Sequence, residues 1–207
     1  MTSAHRGALW AIAAAAFHSL VPLAVRLLSD SLPPVEIVFL RNLIGLGALG
    51  AYFAWRGFGA LKTRRIAIHA QRSVLNFVGM WLWFAALGVM PLGQAVALHF
   101  TMPLFIVLLA ALFLGERVGV GRWATTAAGF AGVLIVLRPG VVEIGLPALA
   151  VLGSAVFYGA AVIAIKVLTR TESAAVITFY SHLIMVVLAA IPTVVWWGAP
   201  RVEDTPY

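Results

Sequence analysis

The sequence of 207 residues contains no cysteine and few charged residues. Without cysteine it can form no disulfide, no thiolate metal site and no thiol nucleophile. Only 10% of its residues are charged, whereas soluble domains average about 25%. Its apolar runs contain no pair of acids, no Ser/His/Asp set and no metal-ligand spacing. The sequence therefore gives no indication of an enzyme, a metal site or a cofactor.

What the sequence has instead is apolar residues, at 63% of the total, with a mean hydropathy of +1.04. So little polar surface cannot cover a protein in water, which indicates that the lipid bilayer is its solvent. The net charge of +7 is typical of nucleic-acid binding. However, the positive charges lie between apolar runs, so we do not expect a nucleic acid as a partner.

The apolar residues fall into seven runs long enough to cross about 30 Å of hydrocarbon as helices. Because no water is available there to satisfy open backbone groups, each run must be helical. The sequence thus predicts an all-α membrane protein with seven transmembrane helices. The predicted spans are residues 8–28, 35–55, 72–89, 93–114, 121–138, 146–167 and 174–197.

The distribution of Lys and Arg predicts the orientation of these spans. Ten such residues lie on one side, including those at the N-terminus and in the loop between spans 2 and 3, and three lie on the other. Positive loops stay in the cytoplasm. We therefore expect a multi-pass protein of the inner (plasma) membrane with a cytoplasmic N-terminus.

Residues 7–55 align with residues 147–195 without a gap, at a constant offset of 140 positions. Ten of the 49 aligned residues are identical, among them Phe17 with Phe157 and Phe39 with Phe179. Five predicted spans separate the copies, so the second copy is inverted in the membrane. Inverted repeats are a common construction of alternating-access transporters.

The domain prediction follows from this alignment. Residues 1–140 form a complete five-helix repeat, and residues 141–207 form the first two helices of an inverted second repeat. We expect the partners of spans 3 to 5 either in a longer protein, of which this chain is a fragment, or in another chain. A homodimer is an open alternative.

Polar side chains inside the spans are the candidate substrate-binding residues, because such residues are costly in lipid. Arg41 lies inside span 2 and is a candidate clamp for a carboxylate or phosphate. The alternative is a structural arginine that reaches the interface or pairs with Asp30 or Glu36. The full set is His18, Arg41, Asn42, Trp81, His99, Tyr158 and His182.

Two of the histidines share a pattern. His18 precedes Pro22 by four residues, as His99 precedes Pro103, and each proline crowds the carbonyl four residues back. Each site therefore offers an imidazole and a freed backbone acceptor, which indicates a hydrogen-bonding cluster or, alternatively, ordinary interhelical contacts. Buried histidines also raise the hypothesis of proton coupling. No histidine spacing requires a zinc site.

Trp81 is the candidate stacking residue for a planar solute, with lipid contact or core packing as the alternative. Tyr158 and His182 are further hydrogen-bonding candidates. In the repeat, Tyr158 matches His18 and His182 matches Asn42.

Three motifs resemble the EamA-like family of the drug/metabolite transporter superfamily. They are Phe39-x-Arg41, the block from Pro103 to Leu114-Gly115-Glu116, and Gly129-x-x-Gly132-Val leading to Arg138-Pro-Gly140. The resemblance implies ten helices in two inverted repeats, a central cavity and movement of small metabolites across the inner membrane. It also implies that Glu116 fixes a short loop. Helices 8 to 10 of the family have no counterpart in this sequence.

The resulting hypothesis is transport of a small organic metabolite by alternating access, with the small-molecule substrate and the lipid bilayer as partners. One alternative is a seven-helix receptor or retinal protein, although the charge distribution opposes its external N-terminus. A membrane-embedded enzyme is a second alternative. The third is a fragment that acts only in assembly with another membrane chain.

Overall fold

The computed structural model describes residues 3–115, 119–137 and 145–195. These stretches are helical and contain no strand. The helices are α1 (Ser3–Leu28), α2 (Pro34–Arg56), α3 (Ile66–Val89), α4 (Leu92–His99), α5 (Met102–Leu114), α6 (Val120–Leu137), α7 (Leu146–Leu168) and α8 (Ala174–Val195), with a 3₁₀ turn at Phe58–Leu61 between α2 and α3.

Six segments in these stretches are long and apolar enough to cross a membrane. They match six of the seven predicted spans, with α4 and α5 together forming the fourth. Helix α6 occupies the position of the fifth predicted span but is not among the six. The motif residues Glu116 and Arg138 lie outside the described residues.

The largest boundary difference is at α3, which begins at Ile66 instead of residue 72. The predicted span begins at Arg72, which was also counted among the positive charges between spans 2 and 3. In the structure Arg72 lies six residues inside the helix, about 9 Å from its start at 1.5 Å per residue.

The two histidine–proline patterns give different backbones. Helix α1 continues through Pro22, whereas the fourth span is interrupted between His99 and Met102. At the interruption the Thr101 backbone N–H and hydroxyl both donate to the Leu98 carbonyl, the hydroxyl at 2.7 Å. Proline at 103 cannot donate to the His99 carbonyl, so the interruption falls where a helical hydrogen bond is already missing.

Helices α3 and α7 run antiparallel and form the most extensive helix pair. Glycines allow their close approach: a Cβ on Gly79 would lie 3.3 Å from the Ser154 carbonyl oxygen, and one on Gly153 would lie 3.4 Å from Leu82. Near the start of α3, the Arg65 guanidinium donates to the Val167 carbonyl at the end of α7, at 3.4 Å. Small residues are the usual means of tight packing between membrane helices.

Helices α2 and α8 form a second antiparallel pair. Phe53, near the end of α2, packs edge-to-face on Phe179, near the start of α8, with ring centroids 5.5 Å apart. Helix α1 runs parallel to α3, since Arg26 near its end donates to the Leu87 and Gly88 carbonyls near the end of α3.

The core lies where α2, α3, α4, α7 and the end of α1 meet, with Phe84, Leu87 and Leu98 among its fully buried side chains. Large apolar side chains elsewhere are exposed, for example Trp10 and Ile44. In lipid such side chains face hydrocarbon, so exposure carries no hydrophobic penalty there.

A cluster of four polar side chains, here named the His69 cluster, joins the α2–α3 loop to the α7–α8 loop. Its members are Thr63, His69, Glu172 and Tyr180. The Glu172 carboxylate accepts from the Thr63 hydroxyl and lies 2.5 Å from Nε2 of His69. The Tyr180 ring lies against His69 with centroids 4.8 Å apart, and its hydroxyl donates to the Leu61 carbonyl at 2.6 Å.

Glu172→Gln should destabilise the fold, because the amide places N–H groups where the Thr63 hydroxyl and the His69 ring need an acceptor. Leaving buried donors unpaired costs about 1–3 kcal/mol, and the His69 side chain is fully buried. Thermal unfolding in detergent measures the effect. Asp30→Asn, at an exposed position, is the matched control. Equal midpoints for the two variants would contradict the prediction.

Candidate functional site

A cavity of about 340 Å³ lies between α1, α2, α3, the α4–α5 junction, α7 and α8. It combines polar and aromatic side chains in the interior of the helix bundle. The lining residues are His18, Val21, Pro22, Arg41, Asn42, Arg72, Asn76, Met80, Trp83, Phe84, His99, Met102, Tyr158, Val162, Thr178, Ser181 and His182.

Six of the seven residues selected from the sequence line this cavity: His18, Arg41, Asn42, His99, Tyr158 and His182. Trp81 is not among the lining residues and is 43% exposed, whereas Trp83 is buried and lines the cavity. Residues two apart on a helix do not face the same way, so only one of the two tryptophans can point inward.

Arg41 contacts a poor hydrogen-bond acceptor. Its Nη1 lies 3.5 Å from the Met80 sulfur, and a thioether is only a weak acceptor. None of the lining residues is Asp or Glu.

Asn42 and His182 join α2 to α8 at the cavity wall. Their side chains are 2.7 Å apart, from His182 Nδ1 to Asn42 Oδ1. The Asn42 amide nitrogen donates to the Val38 carbonyl at 2.7 Å, so its oxygen is the atom facing the imidazole. His182 Nδ1 therefore carries the hydrogen, which leaves Nε2 as the acceptor when the ring is neutral.

Three aromatic rings form a stack on another side of the cavity. The Trp83 and His99 ring centroids are 4.3 Å apart, and the Tyr158 ring meets His99 edge-on at 5.5 Å. The buried Nε2 of His99 has no hydrogen-bond partner among the described residues. The stack holds the imidazole while leaving one ring nitrogen for a solute or water.

Sequence reasoning missed the lining residues of α3. Arg72, Asn76, Met80 and Trp83 follow one another at spacings of four, four and three residues, which is the spacing of a single helix face. All four residues lie within the predicted span 72–89, so the stripe was readable from the sequence, although Arg72 was counted among the charges of the loop.

The arrangement favours solute binding over metal chemistry. No group of three or more His, Cys, Asp or Glu side chains placed to hold a metal ion occurs in the described stretches. Guanidinium, amide, imidazole and phenol groups instead face a common space, where they can bind an organic molecule with polar and planar parts.

Gly45→Ala should weaken the α2–α8 contact. Its new Cβ would lie 2.7 Å from His182 Cε1 and 2.8 Å from Nε2, so the imidazole must leave Asn42. Gly47→Ala is the matched control, since its Cβ would meet nothing within 4 Å. The control should gain about 0.5–1 kcal/mol from helix propensity. Thermal midpoints in detergent should fall for Gly45→Ala and hold or rise for the control.

Should both variants rise together, His182 moves aside without cost, and the Asn42–His182 bond does not stabilise this helix pair.

Known proteins of similar sequence are transporters. The chain is 42% identical over 145 residues to a riboflavin transporter of Rhizobium johnstonii, covering 70% of this chain and 44% of the relative. It is 29% identical over 177 residues to an S-adenosylmethionine uptake transporter of Rickettsia bellii, covering 86% of this chain and 61% of the relative. The chain thus spans about half to two thirds of these relatives.

A solved crystal structure has the same fold, with a TM-score of 0.65 over 88% of this chain and 64% of that one, at 23% sequence identity. Residues 5–138 match the EamA-like transporter family. The family and these relatives are transporters, which does not favour a membrane-embedded enzyme. This chain belongs to the EamA-like transporter family.

Proposed function

We propose that the chain takes part in transport of a small organic metabolite, and that the cavity is its substrate site. The observation that carries the proposal is the symmetry of the cavity lining. Four pairs of lining residues are separated by the 140-position offset of the repeat: His18 with Tyr158, Pro22 with Val162, Arg41 with Ser181, and Asn42 with His182.

Such pairing is expected when two repeats meet about a twofold axis through the substrate site. Only residues near the axis contact their own counterparts, and Asn42 contacts His182 directly. The helix directions also support inversion. Helix α8 runs antiparallel to α2, its counterpart in the repeat. Helix α7 runs antiparallel to α3, and because α3 is parallel to α1, α7 is also antiparallel to its own counterpart, α1.

The proposal includes a fifth span, formed by α6, and thus seven spans in all. Residues 1–140 are one repeat and residues 141–207 the start of a second. The surplus of Lys and Arg supports a cytoplasmic N-terminus in the inner membrane. This orientation places the His69 cluster at the cytoplasmic end of the bundle.

Alternating access then requires the α7–α8 pair to move relative to α1–α3, so that the cavity opens to each side in turn. Arg41 binds a carboxylate or phosphate of the solute. Asn42, His182, His99 and Tyr158 provide hydrogen bonds, and Trp83 takes the stacking role expected of Trp81.

The substrates named for the relatives support a small organic molecule as the ligand of the cavity. Riboflavin and S-adenosylmethionine are small organic molecules that each contain a planar ring system, and a cavity of about 340 Å³ is within the usual range for such ligands. Because the chain spans only part of its relatives, we infer that the transporting unit includes further helices, either in the same protein or in a second copy or chain.

A receptor or retinal protein has less support. Helix α8, the last described span, contains no lysine for a Schiff base.

Transport is tested by uptake into vesicles that contain the chain in the membrane. Labelled riboflavin and a panel of organic acids are the first probes. Arg41→Gln should reduce uptake of an acidic solute at least tenfold, because a charge-assisted bidentate contact is lost. Arg41→Lys should retain part of it, and Arg56→Gln, at an exposed position, should change nothing.

Vesicles that take up none of these probes would contradict transport. Equal uptake by Arg41→Gln and the unaltered chain would instead remove Arg41 from the site.

Orientation can be read from single thiols, because the chain has no cysteine of its own. Gly59→Cys places a thiol in the turn between α2 and α3, with open space around its Cβ. Asp30→Cys places one in the loop between α1 and α2. In intact cells a membrane-impermeant maleimide should label position 30 and leave position 59 unlabelled. The reverse pattern would invert the topology.

A further inference from the structure

Arg72 is a second guanidinium in the cavity, and the described residues form no ion pair with it. Its Nε and Nη1 atoms are buried and have no hydrogen-bond partner among the described residues. An arginine cannot lose its charge as a lysine can. A charge without compensation is unfavourable in an environment of low dielectric constant.

The ionisable groups that face the cavity add no negative charge. They are His18 from α1, Arg41 from α2, Arg72 from α3, His99 from α4, Tyr158 from α7 and His182 from α8. Glu172, an acid at the cytoplasmic end of the bundle, is already occupied by Thr63 and His69 in the His69 cluster.

Arg41 and Arg72 lie at the same cavity. Both line the cavity together with the His182 imidazole of α8. Two cations around one histidine repel each other unless an anion lies between them. One negative charge compensates one guanidinium, so full compensation of Arg41 and Arg72 needs two negative charges.

We propose that the cavity selects solutes with two negative charges, as in a dicarboxylate or a phosphate monoester, and that Arg72 is the residue that determines this specificity. The proposal rests on the transport function above and narrows its substrate class. Carboxylates and phosphates match the planar donor fork of arginine, which can bind each with two parallel hydrogen bonds. Arg41 binds one charged group and Arg72 the other, or both bind a single phosphate.

The test compares pairs of probes that differ in charge and hardly in shape. Succinate is paired with its monoamide, and phenyl phosphate with phenyl sulfate. At about pH 7.5 the phosphate monoester is mostly doubly charged, since its second pKa is about 6. Binding of each probe to the purified chain of 207 residues is measured by titration in detergent.

The unaltered chain should bind the doubly charged member of at least one pair about tenfold more tightly or better. The two pairs distinguish dicarboxylates from phosphate monoesters. Arg72→Gln should reduce that preference to about twofold or less while retaining binding of the singly charged member. A tenfold change corresponds to about 1.4 kcal/mol.

Arg72→Lys should keep part of the preference, because it keeps the charge. Arg64→Gln, at an exposed position in the loop before α3, should keep all of it. Thermal midpoints of the variants establish that each is folded before its titration is interpreted.

Equal affinities for both members of both pairs in the unaltered chain would overturn the proposal, as would an unchanged preference in Arg72→Gln. The outcomes for the proposed function are separate. Uptake of neutral solutes without any preference for dianions would support the transport function and contradict only the selection of doubly charged solutes. Loss of all binding and all uptake removes both.

Discussion

Polar side chains in a bilayer must be kept away from the hydrocarbon, and this single constraint determines how the helices of this chain meet. Arg41, Asn42, Arg72 and His182 come from three helices, yet they all face one cavity. The outer surfaces of the same helices are apolar and exposed. Lipid cannot hold the helices together by excluding water, so small-residue packing between α3 and α7 and the hydrogen bond between α2 and α8 have that role.

The sequence predicted much of this arrangement, because the responsible signals are local. Long apolar runs predicted six segments that the structure describes as candidate spans, and rarity of polar residues in lipid selected six residues that line the cavity. What was missed depends on where a helix begins. A charged residue was taken as a loop marker, but Arg72 lies inside α3. Reading Arg72 as the first residue of a helix face connects it with Asn76, Met80 and Trp83, which the predicted span already contained.

Local sequence could not decide the other differences, since they depend on neighbouring helices. The same His-x-x-x-Pro pattern leaves α1 continuous and interrupts the fourth span. The interruption lies beside the stack of Trp83, His99 and Tyr158, whereas His18 is exposed on a helix that packs mainly through its end. Likewise, Trp81 and Trp83 are the same type of residue, and only their packing distinguishes them. Trp83 lies against His99, whereas Trp81 is 43% exposed.

The contact between Asn42 and His182 has a consequence for energetics. Two identical halves exchanging roles would give inward-facing and outward-facing states of equal free energy. Where the two proposed repeats meet, one contributes the Asn42 amide and the other the His182 imidazole. If the repeats exchange roles as proposed, the exchange does not restore the same hydrogen bonds, so the two states of the empty protein differ in free energy.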